Sequence, residues 1–369
     1  MIKKIGYAPK EIADWVTFRK NFDHPIHDWF YFKEGFSKEL VDWIIDSYGL
    51  KGPIYDPFCG CGTTLLTAKQ RNIESYGLDI SPLAVFVSKV KTRNYDIKKL
   101  KHYLTACTKT PPSIEIPNKK IFKKYFNKEN IADICMIKQN IKELPDEKAR
   151  DFFMLALMDS ASKVALVKKQ GRSLRRIKRR PMSFRKIFLE KVEKMISDLS
   201  NCISMGPEPT VIEGDARHFV LERKANAIIT SPPYLGKDEY TKVYKLELGL
   251  FLEQAPKLQT YLGEIKEIPK NGKYGGLPVE AQAYFLDMEK AIDKMYASLQ
   301  KGGLAFIVVA GGCLPDAVIE SDEIIERIAK DIGFAKIDRI IARKVPCMRD
   351  RTKLVGKTRE SIIVFEKRP

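Results

Sequence analysis

Short apolar runs alternate along the chain with stretches whose apolar residues recur every three or four positions. That alternation predicts strands joined by crossover helices, the pattern of a mostly parallel sheet. Ile54 to Phe58, entered from Gly52-Pro53, predicts a buried strand, and Gly62 to Arg71 the helix after it. Ser75 to Ile80 predicts a second strand, and Pro82 to Thr92 a second helix with proline in its first turn. The rhythm then breaks. Residues 93 to 208 carry Pro111-Pro112 and Pro117, a helical pattern from Glu147 to Lys169, a basic run, and another helical pattern from Ile187 to Cys202. This stretch predicts a helical insertion. Strand patterns resume at Thr210 to Glu213, Ala227 to Thr230 and Leu304 to Ala310, the last entered from Gly302-Gly303. Ile324 to Ile332 predicts a helix. Lys336 to Ile341 and Ser361 to Phe365 are close enough in the chain to predict a terminal antiparallel hairpin. The chain thus divides into 1–92, the first half of an α/β domain, 93–208, the insertion, and 209–369, the second half.

Composition narrows the function classes. A 44% hydrophobic content across 369 residues excludes intrinsic disorder. The uninterrupted apolar run Leu304 to Ala310, which no other run exceeds, is far short of the ~20 residues that a membrane-spanning helix needs. The N-terminal stretch has no apolar core of a secretory signal. The seven cysteines are odd in number and form no CxxC pair, which argues against a disulfide framework or a structural zinc and fits a reducing cytoplasm. The 65 Lys and Arg against 47 Asp and Glu leave +18, with a pI near 9.4, pointing to a polyanionic partner.

The positive charge is concentrated. From Lys168 to Lys186 there are ten Lys/Arg in nineteen residues and no acid. Ile177, Met182, Phe184 and Phe188 are interleaved with them, which predicts an ordered surface packed on its own domain rather than a solvated tail. Arg172, Arg175, Arg176, Lys178, Arg179 and Arg180 are the candidate phosphate contacts, because Arg offers forked hydrogen bonds to phosphate oxygens and neutralising them releases counterions. A second basic cluster runs from Arg343 to Arg359, diluted by Asp350.

Two turns carry candidate chemistry. The first is Asp56-Pro57-Phe58-Cys59-Gly60-Cys61-Gly62-Thr63-Thr64, between a predicted strand and a predicted helix. Gly60 and Gly62 lack the Cβ that would keep a ligand from the backbone. Asp79, ending the next predicted strand, stands where doubly wound sheets bind ribose hydroxyls. No Walker lysine follows, and Leu65 stands where a dinucleotide fold has its third glycine. An adenosyl ligand without a pyrophosphate fits better than a dinucleotide. The second turn is Ser231-Pro232-Pro233-Tyr234, where an apolar strand runs into two prolines that cannot join a sheet ladder. One reading is a strand stop with a packed tyrosine. The other is a rigid acceptor set in which Ser231 Oγ and the Pro232 carbonyl hold the two N–H donors of a base's exocyclic amine while Tyr234 stacks on the base.

Together the D-P-F-x-G-x-G-T-T turn and the later T-S-P-P-Y resemble the two signature motifs of the S-adenosylmethionine-dependent amino-methyltransferases, most closely the cytosine-N4 group. The likeness covers most of the chain outside 93–208. It implies a Rossmann-like methyltransferase fold, a mostly parallel seven-stranded sheet with a terminal antiparallel hairpin, and S-adenosylmethionine as cofactor. Phe32 to Ser37 resembles the family's cofactor-capping segment, which makes Phe32 and Ser37 candidates. Asp56, Pro57, Phe58, Gly60, Gly62, Thr63 and Thr64 would surround the methionine moiety. Leu78 to Ala84 resembles the second acidic segment and contributes Asp79 and Ile80. Glu213 to Ala216 resembles the third, in which Asp215, with Ala216, would contact the adenine. Ser231, Pro232, Pro233 and Tyr234 would be catalytic. Stacking needs the Tyr234 ring and not its hydroxyl, so Tyr234→Phe is expected to be nearly silent. Many cytosine-N4 enzymes carry these motifs in the opposite order, and the insertion is the expected place for target recognition.

The expected activity is therefore cytosine-N4 methylation of nucleic acid, DNA favoured, as in restriction-modification systems. Ribosomal-RNA cytidine-N4 methylation, adenine-N6 methylation of DNA and a non-catalytic binding module are the alternatives. A cytosine-C5 mechanism would need a Pro-Cys nucleophile, and Pro346-Cys347 lies in the late basic segment. His24 and His27 lack companion ligands, so a structural role is expected and no metal. His218 reads as packing. Tyr240 and Tyr244 read as a core-facing pair rather than as lining for a base pocket.

Overall fold

A computed structural model of the chain describes residues 9–114, 116, 124–170, 173–178, 182–202, 206–236, 244–252, 262, 268, 272–347 and 356–368. In chain order the first elements are α1 (Ile12–Trp15), α2 (Lys38–Tyr48), β1 (Ile54–Asp56), α3 (Thr63–Gln70), β2 (Ser75–Asp79) and α4 (Pro82–Thr92). The insertion contributes α5 (Ile97–Thr108), α6 (Lys128–Glu143), α7 (Glu147–Val164), the strands β3 (Val167–Gln170) and β4 (Ser173–Arg176), and α8 (Phe184–Asn201). Then come β5 (Thr210–Glu213), β6 (Ala225–Thr230), α9 (Lys245–Leu250), α10 (Val279–Ser298), β7 (Leu299–Ala310), β8 (Gly312–Leu314), β9 (Ala317–Ile319), α11 (Ser321–Ile332), β10 (Phe334–Pro346) and β11 (Lys357–Lys367).

Seven strands form one sheet in the order β10-β11-β7-β6-β1-β2-β5. The pairs β7–β6, β6–β1, β1–β2 and β2–β5 are parallel, while β11 runs antiparallel to both β7 and β10. This is a Rossmann-like α/β fold closed by an antiparallel hairpin, as expected. Both faces of the sheet are covered, which is why its central strands read as continuous apolar runs. Along β7, Ala305, Ile307 and Val309 face Phe285, Met288 and Ile292 of α10 and Ile325 and Ile328 of α11. Leu304, Phe306 and Val308 alternate to the other face, against Val41, Ile44 and Ile45 of α2.

The chain builds β1, β2 and β5 outward on one side, then returns to place β6 on the other side of β1. In open α/β sheets such a reversal leaves a crevice at the carboxyl ends of the two strands. The candidate turns leave β1 and β6, the two strands that flank it.

The insertion packs around α7, whose Phe152, Phe153, Leu155 and Leu157 are fully buried. Its core is continuous with Leu66 of α3 and with Leu83, Val87 and Val90 of α4. Trp29 from the N-terminal segment closes the seam, edge-on to Phe152 and donating its indole N–H to Asp198 of α8 at 2.8 Å.

Two expectations are corrected here. The helical pattern expected from Glu147 to Lys169 ends at Val164, and Lys168 and Lys169 belong to a β-hairpin. The Tyr125 carbonyl takes the Leu166 amide, and Leu166 O takes the Ile177 amide, so strand pairing captures a segment whose local pattern would continue the helix. The expectation that the cysteines build no disulfide framework is qualified by a single Cys313–Cys347 bond, 34 residues apart in sequence. The pairing of β10 with β11 and of β11 with β7 carries the two cysteines together, which their spacing cannot reveal. The described residues include no helix long and apolar enough to cross a membrane.

Candidate active site

The first turn knits itself together locally. Asp79, at the end of β2, accepts the Gly60 amide on one oxygen at 2.9 Å and the Ser81 amide on the other at 2.8 Å. Ser88 Oγ donates to the Gly60 carbonyl at 2.8 Å, and the Gly62 amide donates to the Cys59 carbonyl. Gly60 (φ +51°) and Gly62 (φ +79°) are both left-handed, and an added Cβ would meet the Phe32 ring at 3.3 Å or Ser88 Oγ at 2.9 Å. Phe32 lies over the turn and stacks on Tyr244, with ring centroids 5.2 Å apart and 9° between planes. The Tyr244 hydroxyl donates to Glu34 at 2.8 Å. The expected capping segment thus covers the glycine turn, and the buried Tyr244 supports the cap. Tyr240 lies outside the described residues.

Burial pushes the Asp79 carboxyl up to about 6, against the pull of its backbone hydrogen bonds. An ionised carboxylate offers about four acceptor positions, more than the backbone amides of Gly60, Ser81 and Ile80 take. Acceptor capacity is therefore left for a hydroxyl-bearing ligand. Ile80, the next residue, exposes its side chain, as an apolar floor for an aromatic ring requires.

Asp56 lies deeper. It is 2% exposed and accepts Thr230 Oγ1 at 2.7 Å and the Phe58 amide at 3.2 Å. Burial pushes its carboxyl up to about 6, while bonds from Thr230 and Thr64 pull the other way. Asp56 therefore ties the end of β1 to the last residue of β6, immediately before Ser231. Thr64 is fully buried with its hydroxyl toward the Ile229 carbonyl, and Thr63 and Pro57 are buried beside it. Phe58 is half-buried.

The second turn is held from distant parts of the chain. Pro233 O accepts the Tyr284 hydroxyl of α10 at 2.8 Å. Tyr234 Oη donates to Glu360 of β11 at 2.8 Å, and Ser231 Oγ donates to Tyr234 Oη at 3.3 Å. The Tyr234 hydroxyl, expected to be idle, is engaged on both sides. Thr230, Tyr284 and Glu360 went unseen in the sequence. Thr230 had a signal in its place before the turn; Tyr284 and Glu360 had none, being 51 and 126 residues from their partners.

Asp215 follows β5, where the Gly214 amide donates to the Asp79 carbonyl. Burial raises its carboxyl, but the Arg217 guanidinium, bonded at 2.6 to 3.1 Å, overrides this and holds it below the ordinary range. Arg217 also reaches Asp287 of α10 at 3.0 Å. Both Asp215 oxygens are thus already paired, and the adjoining Ala216 is buried. Ser37 is corrected as a candidate: it is fully buried, and both its amide and its hydroxyl donate to the Trp15 carbonyl.

The basic run is a two-stranded ribbon rooted in the insertion core by the buried Val167 and half-buried Leu174. Arg175, Arg176 and Lys178 are exposed, and Arg175 and Arg176, adjacent on one strand, point to opposite faces. Arg172, Arg179 and Arg180 lie outside the described residues. Of the interleaved apolar residues, Phe184 and Phe188 are fully buried, Ile177 is half-buried and Met182 is exposed.

The remaining candidates are engaged within the fold. His24 bonds Glu39 at 2.7 Å, and burial drives His27 well below its ordinary range beside Gln70. Cys347 is joined to Cys313, and Cys59 and Cys61 are buried.

No family model matches the chain. Among curated proteins it is 28% identical to the Type II methyltransferase M.BsoBI of Geobacillus stearothermophilus, across 63% of this chain and 54% of that one. It is 22% identical to the Type II methyltransferase M.MvaI of Kocuria varians, across 82% and 80%. A shorter match, 49% identical over 51 residues, is to the Type II methyltransferase M.MjaII of Methanocaldococcus jannaschii. The chain therefore spans about half the length of the first relative and four-fifths of the second. Among solved structures it is similar to a TehB-like SAM-dependent methyltransferase of Corynebacterium glutamicum, at 10% identity and TM-score 0.34 over 90% of this chain and 88% of that one. The magnesium protoporphyrin IX methyltransferase of Synechocystis, bound to SAH, matches at 10% identity and TM-score 0.34 over 89% and 80%.

Proposed function

We propose that the chain is an S-adenosylmethionine-dependent methyltransferase that modifies the N4 amine of cytosine in DNA. The observation that carries this reading is the juxtaposition at the sheet's reversal point. An acid-lined glycine turn leaves β1, an amine-sized acceptor set leaves the neighbouring β6, and Thr230–Asp56 ties the two together. Three relatives named as Type II methyltransferases support a DNA substrate.

The residues at β1 and β2 fit the cofactor. The remaining acceptor capacity of Asp79 suits the ribose hydroxyls, Ile80 offers a floor for the adenine, and the turn beneath Phe32 lets backbone approach the methionine portion. When bound, the cofactor supplies an electrophilic methyl group on a sulfonium. The protein's task is then to prepare the amine. Its nitrogen lone pair is conjugated into the ring and must be freed. Ser231 gives its own proton to Tyr234, so its oxygen lone pairs can accept one amine hydrogen. The Pro232 carbonyl accepts the other, while the Pro233 carbonyl is already engaged by Tyr284. Two acceptors on one nitrogen favour a pyramidal geometry, and holding it in line adds the orientation contribution. No base is needed beforehand, because the proton leaves after nitrogen becomes cationic. A cytosine inside a duplex cannot reach this turn, so the base must be flipped out. The Arg175/Arg176 ribbon is of the size that a major groove admits and carries cations on both faces.

The test is tritium transfer from labelled cofactor to unmodified DNA and to ribosomal RNA, followed by nucleoside mass spectrometry. N4-methylcytosine in DNA is the expected product. Label confined to RNA, or appearing as N6-methyladenine, would replace this reading with that substrate. Absence of label from both would leave a nucleic-acid-binding module.

A further inference from the structure

Glu360 belongs to neither signature motif, yet it reaches the turn that would hold the amine. It lies near the start of β11, opposite Ala310 of β7 and Arg343 of β10. It is 2% exposed. One carboxylate oxygen accepts the Tyr234 hydroxyl at 2.8 Å, and the other accepts Arg343 Nε at 2.5 Å. A buried carboxylate is tolerated when paired in this way. The strand that carries it is hydrogen-bonded along both edges, so its position is fixed by the sheet.

The direction of the hydrogen bonds matters more than their number. An ionised carboxylate only accepts. Tyr234 must therefore donate to Glu360, and its oxygen is left to accept from Ser231 at 3.3 Å. Ser231 in turn points its proton inward and its lone pairs outward. If the tyrosine donated toward Ser231 instead, it would take one of the two serine lone pairs and release the Ser231 proton, which could then point at an amine that needs an acceptor there. We infer that Glu360 is a positioning residue of the catalytic turn: by acting as an obligate acceptor it sets the polarity of the Glu360–Tyr234–Ser231 chain and keeps the Ser231 lone pairs available to the substrate amine. This rests on the proposed amine-binding role of Ser231.

Glu360→Gln reverses the polarity with little change in shape. The amide oxygen would stay with the Arg343 donor and the NH2 would face Tyr234, which then donates to Ser231. With tritiated S-adenosylmethionine and unmethylated genomic DNA, Glu360→Gln is expected to lower kcat by about tenfold or more, the effect of mis-setting one hydrogen bond to a charged group. KM for DNA and the calorimetric Kd for cofactor should stay near wild type. Tyr234→Phe removes the relay, so the double variant should regain activity over Glu360→Gln and match Tyr234→Phe alone. Wild-type kcat in Glu360→Gln, or a double variant worse than both singles, would overturn the inference, the latter because Glu360 would then act only through the sheet. Fluorotyrosine labelling gives a readout independent of activity. The 19F resonance that Tyr234→Phe deletes should shift in Glu360→Gln and stay in place in Asp79→Ala. An unmoved resonance in Glu360→Gln overturns the positioning role even if methyl transfer is intact. A shifted resonance in a protein that labels no nucleic acid would instead remove the proposed function and leave only the contact, overturning the role in catalysis.

Discussion

The two turns at the sheet's reversal point are built in opposite ways. Most hydrogen bonds of the glycine turn after β1 come from nearby in sequence, Asp79 being 19 residues from Gly60 and Ser88 28, while Thr230 and Tyr244 reach its edges from farther off. The proline turn after β6 is held by residues 51, 126 and 174 positions from their partners, namely Tyr284, Glu360 and Asp56. One turn takes most of its hydrogen bonds from the next strand and helix of the same β-α-β unit. The other is a short rigid peptide whose orientation is set by a helix and a strand from the far end of the chain. Cofactor binding should therefore depend on local residues, and turnover on remote ones.

The largest effect that would test this contrast is at Asp79. Removing a charged acceptor of two hydroxyls costs ~2–3 kcal/mol, so Asp79→Ala should weaken cofactor binding by roughly 30-fold or more. Isothermal titration calorimetry on the folded variant would show an unchanged Kd if the assignment is wrong. The same carboxyl gives a pH dependence. Its titration is pushed up to about 6, so the accepting, ionised form predominates above that pH. Cofactor affinity of the wild type should be flat above pH 7 and fall as pH drops through about 6.

Ser231→Ala should come next, at about tenfold in kcat with a smaller change in KM, because its acceptor role strengthens as nitrogen becomes pyramidal. Equal losses in DNA binding and turnover would make Ser231 a binding residue only. Tyr284→Phe probes the remote support directly. It leaves the Pro233 carbonyl without its donor, a cost of about 1–3 kcal/mol that urea unfolding would register. Turnover should fall several-fold with cofactor Kd unmoved; a shifted Kd would mean that the two turns are not independent. The smallest effect is expected at the ribbon of the insertion. Replacing Arg175, Arg176 and Lys178 by Ala should flatten the salt dependence of DNA binding by up to about three units. A wild-type slope in fluorescence anisotropy would return the ribbon to a solvated surface.

The insertion and the sheet differ in the same way in how readable they were. Every strand of the sheet came through within about five residues, and Pro82–Thr92 and Thr210–Glu213 match the expected bounds, but the long helix α10 that packs on the sheet was not expected. In the insertion two of the helices, α7 and α8, were legible, while α5, α6 and the β3–β4 ribbon were not. Lys168 and Lys169 continue a helical pattern, and only the pairing of Val167–Gln170 with Ser173–Arg176 makes them strand. Ser37 shows the same limit within the capping segment, where its place in the motif suggested a ligand contact and the Trp15 carbonyl takes its hydroxyl.

What the sequence determined by itself was whatever depends on neighbours along the chain. Two-sided burial gave the apolar strands, left-handed backbone required Gly60 and Gly62, and a double proline ended β6 at the acceptor set. What only the tertiary structure decided was the pairing of polar atoms across the fold. Hydrogen-bond partners are chosen by position in space, and residues far apart in sequence carry no pattern that marks them as neighbours. Thus Arg217 occupies the Asp215 carboxylate, Cys313 meets Cys347, and Glu360 on β11 takes the Tyr234 hydroxyl that the motif alone left idle.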